Sequence, residues 1–444
     1  MKRRSFIRNT GLATAGFFVA PYILPSGRLF AASGVRKANH VVFCLYAGGV
    51  RDLETIQKAD GNLMPNILNG SEAITSDIAS AMTSLPLSPI AMPLQNYGTL
   101  FKQFKYAQGP TGHYNGHTTA ITGVYTTTSL DLRDHPDFPT IFEYYRKHNS
   151  PAQSAMNAWW VSNSLGPYPS LNYSKYPGYG SAYGANFIAP TSLISTDGYD
   201  ALGNMRTFNS QEQAVVNKIR GFLDNNFLSH QNVGDPGLIN PDADRATLQT
   251  FITDLFNRSM SGQFNDPWLT GGGVMNNDMY NIVFAEEIIK QFKPELLVVN
   301  MQDVDICHSQ FTAYCNNLRK ADFSVAHLWN TIQNTPGMAN DTILIVAPEH
   351  GRNQVDNNII DSYGRAALDH TASQDLTGDQ KARDIFCLIA GPPTKVHQGN
   401  VITAGISESV EIVPTIANIL GFDNDIPSGI LRSFSGCNTA QAFL

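Results

Sequence analysis

The feature that most constrains the fold of this chain is a run of β-branched and apolar residues that stops abruptly at a carboxylate and an imidazole. The run is TILIVAP at 342–348, and Glu349, His350 and Gly351 follow it. Such a run, bounded by polar residues, predicts a strand buried on both faces of a parallel sheet. Open α/β sheets bind ligands beyond the carboxyl ends of their strands, so Glu349 and His350 are expected at such a site.

Further strand-like runs alternate with amphipathic segments along the chain. Other strands are predicted at 40–46, 155–163, 295–300 and 384–390, and the segment 100–107 is either a short helix or a strand. Helices are predicted at 139–147, 281–292, 318–333 and 409–420. This alternation predicts an α/β fold with three layers, α/β/α, around a mostly parallel central sheet.

The segment 164–276 differs from the rest of the chain. It is rich in Tyr, Gly, Ser and Asn and has helical patches near 211–227 and 246–259. We interpret it as an inserted cap or lid over a core formed by 33–163 and 277–444. Its tyrosines are expected to pack the cap, and stacking on sugar or aryl groups is the alternative.

The first 32 residues carry the features of an export signal. A basic start with Arg3 and Arg4 precedes an apolar stretch at 11–24 and the small residues Ala31 and Ala32. This pattern predicts a twin-arginine signal peptide at 1–32, recognised by the twin-arginine export machinery, and therefore a periplasmic or secreted protein. An uncleaved N-terminal anchor is the alternative, although the stretch is short for a membrane span and no later segment is apolar for long enough.

The overall charge argues against a nucleic-acid partner. The chain has 444 residues and a net charge of −7, and no basic stripe stands out along it. Nucleic-acid-binding domains usually concentrate Lys and Arg on one face.

Acidic and histidine side chains follow three of the predicted strands. They are Asp52 after the first, Asp303, Asp305 and His308 after the strand at 295–300, and Glu349 and His350 after the strand at 342–348; the pair Asp369 and His370 comes from a later loop. Mixed carboxylate and imidazole ligands suit divalent ions such as zinc, manganese or calcium, and the set is large enough for one or two of them. Taken one at a time, these residues are as easily explained by ordinary structural roles.

Two histidines four residues apart form another candidate group. His113 and His117 would share one face if a helix begins there. Gly112 and Gly116 beside them favour a loop instead, in which both imidazoles would only hydrogen-bond to backbone.

The order of these motifs resembles that of the alkaline phosphatase superfamily, which includes phosphatases, phosphodiesterases, sulfatases and phosphomutases. The matching text is VVFCLYAGG, HTTAITGVY before PTIFEYYRK, VVNMQDVDICH, TILIVAPEHG, LDH and SVEIVPTIANILGFD. It covers roughly 38–163 and 281–423 and is most similar to a bacterial branch exported by the twin-arginine route.

The resemblance implies roles for the candidate residues. One metal ion would be held by Asp305, His308 and His370, with Asp303 as the alternative to Asp305. A second would be held by Glu349, His350 and a first-strand acid, for which Asp52 is the nearest substitute because Ala47 and Gly48 occupy the strand end.

The resemblance also implies a nucleophile ten residues before Gly123. That position is His113, whereas the family has a hydroxyl-bearing or similar residue there. His113 is therefore expected to form a phospho-histidine, to ligate metal, or to do neither. Thr111 is a nearby hydroxyl out of register, and we retain Thr111 and His117 with His113 as catalytic candidates.

The sequence thus predicts a secreted, metal-dependent hydrolase of phosphate or sulfate esters, with a small-molecule or saccharide ester as substrate. The alternative is a catalytically inactive or binding member of the same fold in the periplasm. A Ser-His-Asp hydrolase is not supported, since no G-x-S-x-G motif follows a strand.

Overall fold

The computed structural model describes residues 34–70, 82–127, 135–149, 155–162, 171–193, 242–265, 267–269, 274–372 and 377–444. The predicted signal peptide at 1–32 and the predicted helical patch at 211–227 lie outside the described residues. Within the described residues, no helix combines the length and the hydrophobicity that crossing a membrane requires.

A nine-stranded sheet forms the centre of the described part of the chain. Its strands are β1 (His40–Tyr46), β2 (Gly98–Lys105), β3 (Ala158–Val161), β4 (Asn186–Ile188), β5 (Leu296–Met301), β6 (Thr342–Pro348), β7 (Asp384–Ala390), β8 (Asn400–Ile402) and β9 (Ser407–Glu408). They run in the order β4-β3-β5-β1-β6-β7-β2-β8, and β9 also pairs with β2. Only β7 runs antiparallel to its neighbours β6 and β2 among the described strands, so the predicted mostly parallel sheet is confirmed.

Helices cover both faces of this sheet. They are α1 (His113–Thr122), α2 (Ile141–Tyr144), α3 (Pro190–Leu193), α4 (Asp242–Met260), α5 (Asn277–Phe292), α6 (Phe311–Asn334) and α7 (Ile412–Leu420). A π-helical turn, Tyr145–Asn149, continues α2. Helix α5 begins four residues before its predicted start because Asn276 caps it, accepting a hydrogen bond from the backbone N–H of Met279.

The alternating side chains of β1 show how the three layers form. Val42, Cys44 and Tyr46 join the buried cluster that contains the apolar faces of α5 and α6. Val41 and Phe43 join the opposite cluster, with residues of α1 and α7. All five side chains are fully buried, as expected for a central strand of a doubly covered sheet, and the three-layer prediction is confirmed.

Two parts of the span predicted to be an inserted cap lie against the sheet. Strand β4 pairs in parallel with β3, from Trp159 opposite Asn186 to Val161 opposite Ile188. Helix α4 places Phe251 against the ring of Trp159, with centroids 6.1 Å apart. The prediction of a cap over the site therefore applies only to the other residues of 164–276, and for them it stays a prediction.

Candidate metal centre

The loops that follow three neighbouring strands meet at one edge of the sheet. Strand β1 lies between β5 and β6 and is parallel to both, so the carboxyl ends of all three point the same way. A Gly48-Gly49 turn follows β1, the 3₁₀ helix Asp303–His308 follows β5, and Glu349 and His350 follow β6. The expected site therefore forms at this edge.

The turn after β1 allows the three loops to approach closely. Gly48 has φ of 93° and Gly49 has φ of 74°, values that favour glycine. A Cβ atom on Gly48 would lie 2.6 Å from the Cα of Asp305. The backbone N–H of Gly48 instead donates a hydrogen bond to Oε1 of Glu349 at 2.6 Å, so backbone occupies the position that the resemblance assigns to an acid.

One group of potential ligands surrounds Asp305. His308 Nε2 lies 3.2 Å and His370 Nε2 3.6 Å from Oδ1 of Asp305. His113 Nε2 lies 3.1 Å from Oδ2 of the same carboxylate. The potential ligand atoms of these four residues all lie within 4.8 Å of one another.

A second group surrounds Glu349. Its Oε1 lies 2.8 Å from His113 Nδ1 and 3.2 Å from His350 Nε2. His117 contacts the other oxygen of Glu349 through Nδ1, and its Nε2 lies 2.7 Å from Oδ1 of Asn300. Glu349, His350 and His117 are fully buried, whereas His113 remains partly exposed.

Helix α1 carries His113 and His117 on one face, so the helix is correct and the loop alternative is not. The helix begins at His113 and ends where Gly123 adopts φ of 72°. Gly116, between the histidines, lets the helix pack on the acid, since a Cβ there would lie 3.0 Å from the Cβ of Glu349.

Three supporting interactions of Asp369 and Arg352 could not be predicted from the sequence, although Asp369 was itself a candidate ligand. Asp369 Oδ1 lies 2.7 Å from His308 Nδ1. Arg352 is buried and donates to Oδ1 of Asp305 at 2.6 Å and to the carbonyl of Leu368 at 2.7 Å. Asp369 and Arg352 lie within or beside motifs that resemble those of the alkaline phosphatase superfamily. Only the tertiary structure shows what their side chains contact.

Three sequence candidates lie outside the two groups or are otherwise engaged. Asp52 lies in the turn Asp52–Glu54 and accepts from Gln57 Nε2 at 3.2 Å. Asp303 accepts from Asn277 Nδ2 at 2.9 Å. The hydroxyl of Thr111 donates to the carbonyl of His370 and accepts from the N–H of Ala372 at 2.8 Å.

The tautomers of His350 and His370 are set by backbone carbonyls. His350 Nδ1 lies 2.9 Å from the carbonyl of Gly351, and His370 Nδ1 lies 2.5 Å from the carbonyl of Thr111. Nδ1 must donate in both contacts, so a neutral ring keeps its lone pair on Nε2. Within the described residues, both buried Nε2 atoms lack a hydrogen-bond partner. Each lone pair faces a carboxylate, an arrangement that a cation between them would stabilise.

The electrostatics of the cluster favour charged carboxylates, a protonated His113 and neutral rings on His350 and His370. Burial opposes protonation of His113, but Glu349 and Asp305 outweigh it and raise the pKa of His113 to about 10. Burial opposes ionisation of Glu349, but nearby His117, His350 and His113 outweigh it and hold the pKa of Glu349 well below its usual range. The pKa of Asp305 is also lowered, since the neighbouring imidazoles, His113 foremost, outweigh burial. Burial lowers the pKa of His350, and burial together with neighbouring His350 lowers the pKa of His370 to about 3.

The spacing of the ligand atoms also fits a metal ion. Ligands that each lie about 2.0 to 2.1 Å from a tetrahedral zinc ion are roughly 3.3 to 3.4 Å from one another. The separations from Asp305 to His308 and His113, 3.2 and 3.1 Å, and from Glu349 to His350, 3.2 Å, are of this size.

No protein-family model and no curated protein matches the chain. Solved structures do match it. The chain is similar in fold to members of the alkaline phosphatase superfamily. Wild-type alkaline phosphatase PafA matches with a TM-score of 0.47 and 10% identity over 93% of this chain and 100% of PafA.

Two further solved structures match the chain. The PsFucS1 sulfatase from Pseudoalteromonas sp. has a TM-score of 0.45 and 12% identity over 90% of this chain and 70% of the sulfatase. A protein in the alkaline phosphatase superfamily from Vibrio parahaemolyticus has a TM-score of 0.42 and 12% identity over 89% of this chain and 72% of that protein. These likenesses concern the fold.

Proposed function

We propose that this protein is a metal-dependent hydrolase of phosphate or sulfate esters that acts outside the cytoplasm after twin-arginine export. The observation that carries the proposal is the pair of buried Nε2 atoms, on His350 and His370, whose lone pairs face the carboxylates of Glu349 and Asp305. Such an arrangement is typical of metal ligands whose Nδ1–H is held by the protein.

The residues divide into two metal positions. Asp305, His308 and His370 would hold one divalent ion, and Glu349 and His350 would contribute to a second. Zinc and manganese suit these ligands, and calcium is the further candidate. A bound divalent ion would polarise the ester oxygens and lower the pKa of a water molecule.

The protein's own groups would bind and orient the ester. The amino end of α1 lies at His113, and the positive end of a helix dipole favours an anionic substrate. A cavity of about 500 Å³ adjoins the cluster, and its lining includes Pro110, Gly112, His370 and Ala372. A small-molecule or saccharide ester group would enter through this cavity.

The alternative is a binding protein without turnover. It is favoured by Gly48 in the place of a first-strand acid and by His113 in the place of a hydroxyl nucleophile. Such a protein would hold a metal ion and an anionic ligand but would not release product.

The test combines metal analysis with a substrate screen. We expect the purified mature chain to retain divalent metal and to hydrolyse aryl phosphates, phosphodiesters or aryl sulfates when loaded with zinc, manganese or calcium. His350→Ala should lose metal and activity, and His397→Ala, at an exposed position, should lose neither. No metal in either the parent chain or His350→Ala would overturn the proposal, and metal without turnover would establish the binding alternative.

A further inference from the structure

His113 belongs to both groups of potential metal ligands. Its Nε2 faces Oδ2 of Asp305 at 3.1 Å, and its Nδ1 faces Oε1 of Glu349 at 2.8 Å. The two nitrogens lie on different sides of the imidazole ring, so each one belongs to one group. In the described part of the chain, no other residue is shared in this way.

We infer that His113 is a shared ligand that connects two metal positions and that it is not the nucleophile. Its Nε2 completes the position formed by Asp305, His308 and His370, and its Nδ1 completes the position formed by Glu349 and His350. This inference rests on the proposed metal centre and specifies how that centre is built.

The second position needs His113 as a ligand. Catalytic zinc sites generally use three protein ligands and keep one position open. Among the residues that the structure describes, only Glu349 and His350 remain there without His113, because Gly48 offers backbone and Asp52 lies elsewhere, beside Gln57. With His113 Nδ1, the second position has three protein ligands.

The surroundings of His113 also disfavour attack by its ring. A nucleophilic imidazole needs one nitrogen lone pair directed at the reacting phosphorus or sulfur. Both nitrogens of His113 are directed at carboxylates instead. The ring also packs edge-on against His370, with centroids 4.8 Å apart.

Ester hydrolysis with His113 as a shared ligand needs no covalent intermediate. With both positions loaded, His113 would have given its ring protons to solvent and would present a lone pair from each nitrogen. A water oxygen then forms the new bond to phosphorus or sulfur while the bond to the leaving group breaks. The proton of that water passes to the leaving group or to solvent, and no bond to His113 forms.

The first experiment measures coupling between two ions. The full mature chain is loaded with Cu²⁺, the bound ions are counted, and the electron paramagnetic resonance spectrum is recorded. We expect two ions per chain and a signal weakened by magnetic exchange through the shared ring. His113→Ala should show the signal of isolated ions, and His397→Ala should match the parent chain. One ion per chain, or two uncoupled ions in the parent chain, would overturn the inference.

The second experiment looks for a covalent intermediate. After turnover of an aryl phosphate, the chain is denatured without acid and examined by ³¹P nuclear magnetic resonance. We expect no phospho-histidine and no phosphoryl transfer to an added alcohol; a phosphorylated His113 would overturn the inference.

The two proposals fail in distinguishable ways. Hydrolysis by a chain with one ion, or with uncoupled ions, overturns only the shared ligand. Two coupled ions without hydrolysis overturn only the proposed activity. A chain that binds no ion at all overturns both.

Discussion

At the scale of single residues, Asp369 is the clearest supporting group of the candidate site. Its Oδ1 lies 2.7 Å from Nδ1 of His308, whose Nε2 faces Asp305. A carboxylate that holds Nδ1–H directs the lone pair on Nε2 at the metal position and makes the imidazole a stronger ligand.

Replacing Asp369 by Asn should therefore weaken metal binding without removing a ligand. We expect Asp369→Asn to lower metal affinity by roughly 10-fold to 100-fold, because a neutral amide cannot form the charge-assisted hydrogen bond that holds Nδ1–H of His308. Competition with a chromophoric chelator measures the change. Asp356→Asn, at an exposed acid on the same loop, is the matched control and should bind as the parent chain does.

Equal affinities for Asp369→Asn and the control would show that His308 needs no orienting partner. Loss of affinity in both variants would point to a general effect of loop charge instead.

The residues of the site were predictable from the sequence to different degrees. Glu349 and His350 follow β6 directly, and Asp305 and His308 lie in the short 3₁₀ helix after β5, so strand prediction brings these four residues to one edge of the sheet. Asp52 comes four residues after Gly48, and the turn at Asp52–Glu54 carries it away from the cluster. The contact of Arg352 with Asp305 joins two loops, and no local pattern encodes such a contact.

At the scale of elements, the Gly48-Gly49 turn determines how closely β1 approaches its neighbours. Gly48→Ala would place a methyl group 2.6 Å from the Cα of Asp305, at a residue with φ of 93°. We expect a loss of roughly 3 kcal/mol in the free energy of unfolding, since backbone strain and overpacking add. Metal affinity should also fall, because Asp305 must shift. Urea unfolding and chelator competition measure the two effects.

Gly337→Ala is the matched control for backbone strain. Gly337 has φ of 89°, and a Cβ atom there would meet nothing within 4 Å. Gly337→Ala should lower the free energy of unfolding by only about 1 to 2 kcal/mol and leave metal binding unchanged. Equal costs at both positions would contradict the close approach of Gly48 to Asp305.

Helix α6 contains a histidine whose titration should affect stability at acidic pH. His327 stacks on Trp268 with ring centroids 4.4 Å apart, and burial lowers its pKa from 6.5 to about 4. Because the folded chain resists protonation there, the stability from this contact is full above pH 6.5 and is lost as the pH falls towards 4.

His327→Phe keeps an aromatic ring and removes the titration. We expect the free energy of unfolding of the parent chain to fall more steeply than that of His327→Phe between pH 6.5 and 4. Urea unfolding of both metal-free chains across this range gives the difference, in which the histidines of the candidate site cancel. Parallel curves would show that His327 titrates alike in the folded and unfolded chains.

At the scale of the whole molecule, the two proposed metal positions join loops from distant parts of the chain. Ions that bind only the folded protein stabilise it, by about 2.7 kcal/mol when the free ion is at 100 times its dissociation constant. We expect zinc or manganese to raise the thermal midpoint and a chelator to lower it. His350→Ala should lose most of this response, and His397→Ala should keep it. A response unchanged in His350→Ala would place the stabilising ion elsewhere.

The fold was predictable wherever strands are buried on both faces. The expected bounds of β1 and β7 agree with the structure to the residue, because each continuous apolar run begins at a polar residue and stops close to a glycine turn. The short strands β4, β8 and β9 were not predicted, since two or three residues carry no periodicity. Helix α6 begins at Phe311, seven residues before the expected start, because its first turns mix polar and apolar residues.

The position of β1 between β5 and β6 has a consequence for the synthesis of the protein. His40 pairs with Thr342, about 300 residues later in the chain, and ribosomes add roughly 5 to 20 residues per second. Strand β1 must therefore wait some 15 to 60 seconds for its partner β6, with apolar side chains on both faces and the central sheet still incomplete. Exposed apolar surface of this kind makes a nascent chain prone to aggregation, and Glu349 and His350 can join the site only after β6 has left the ribosome.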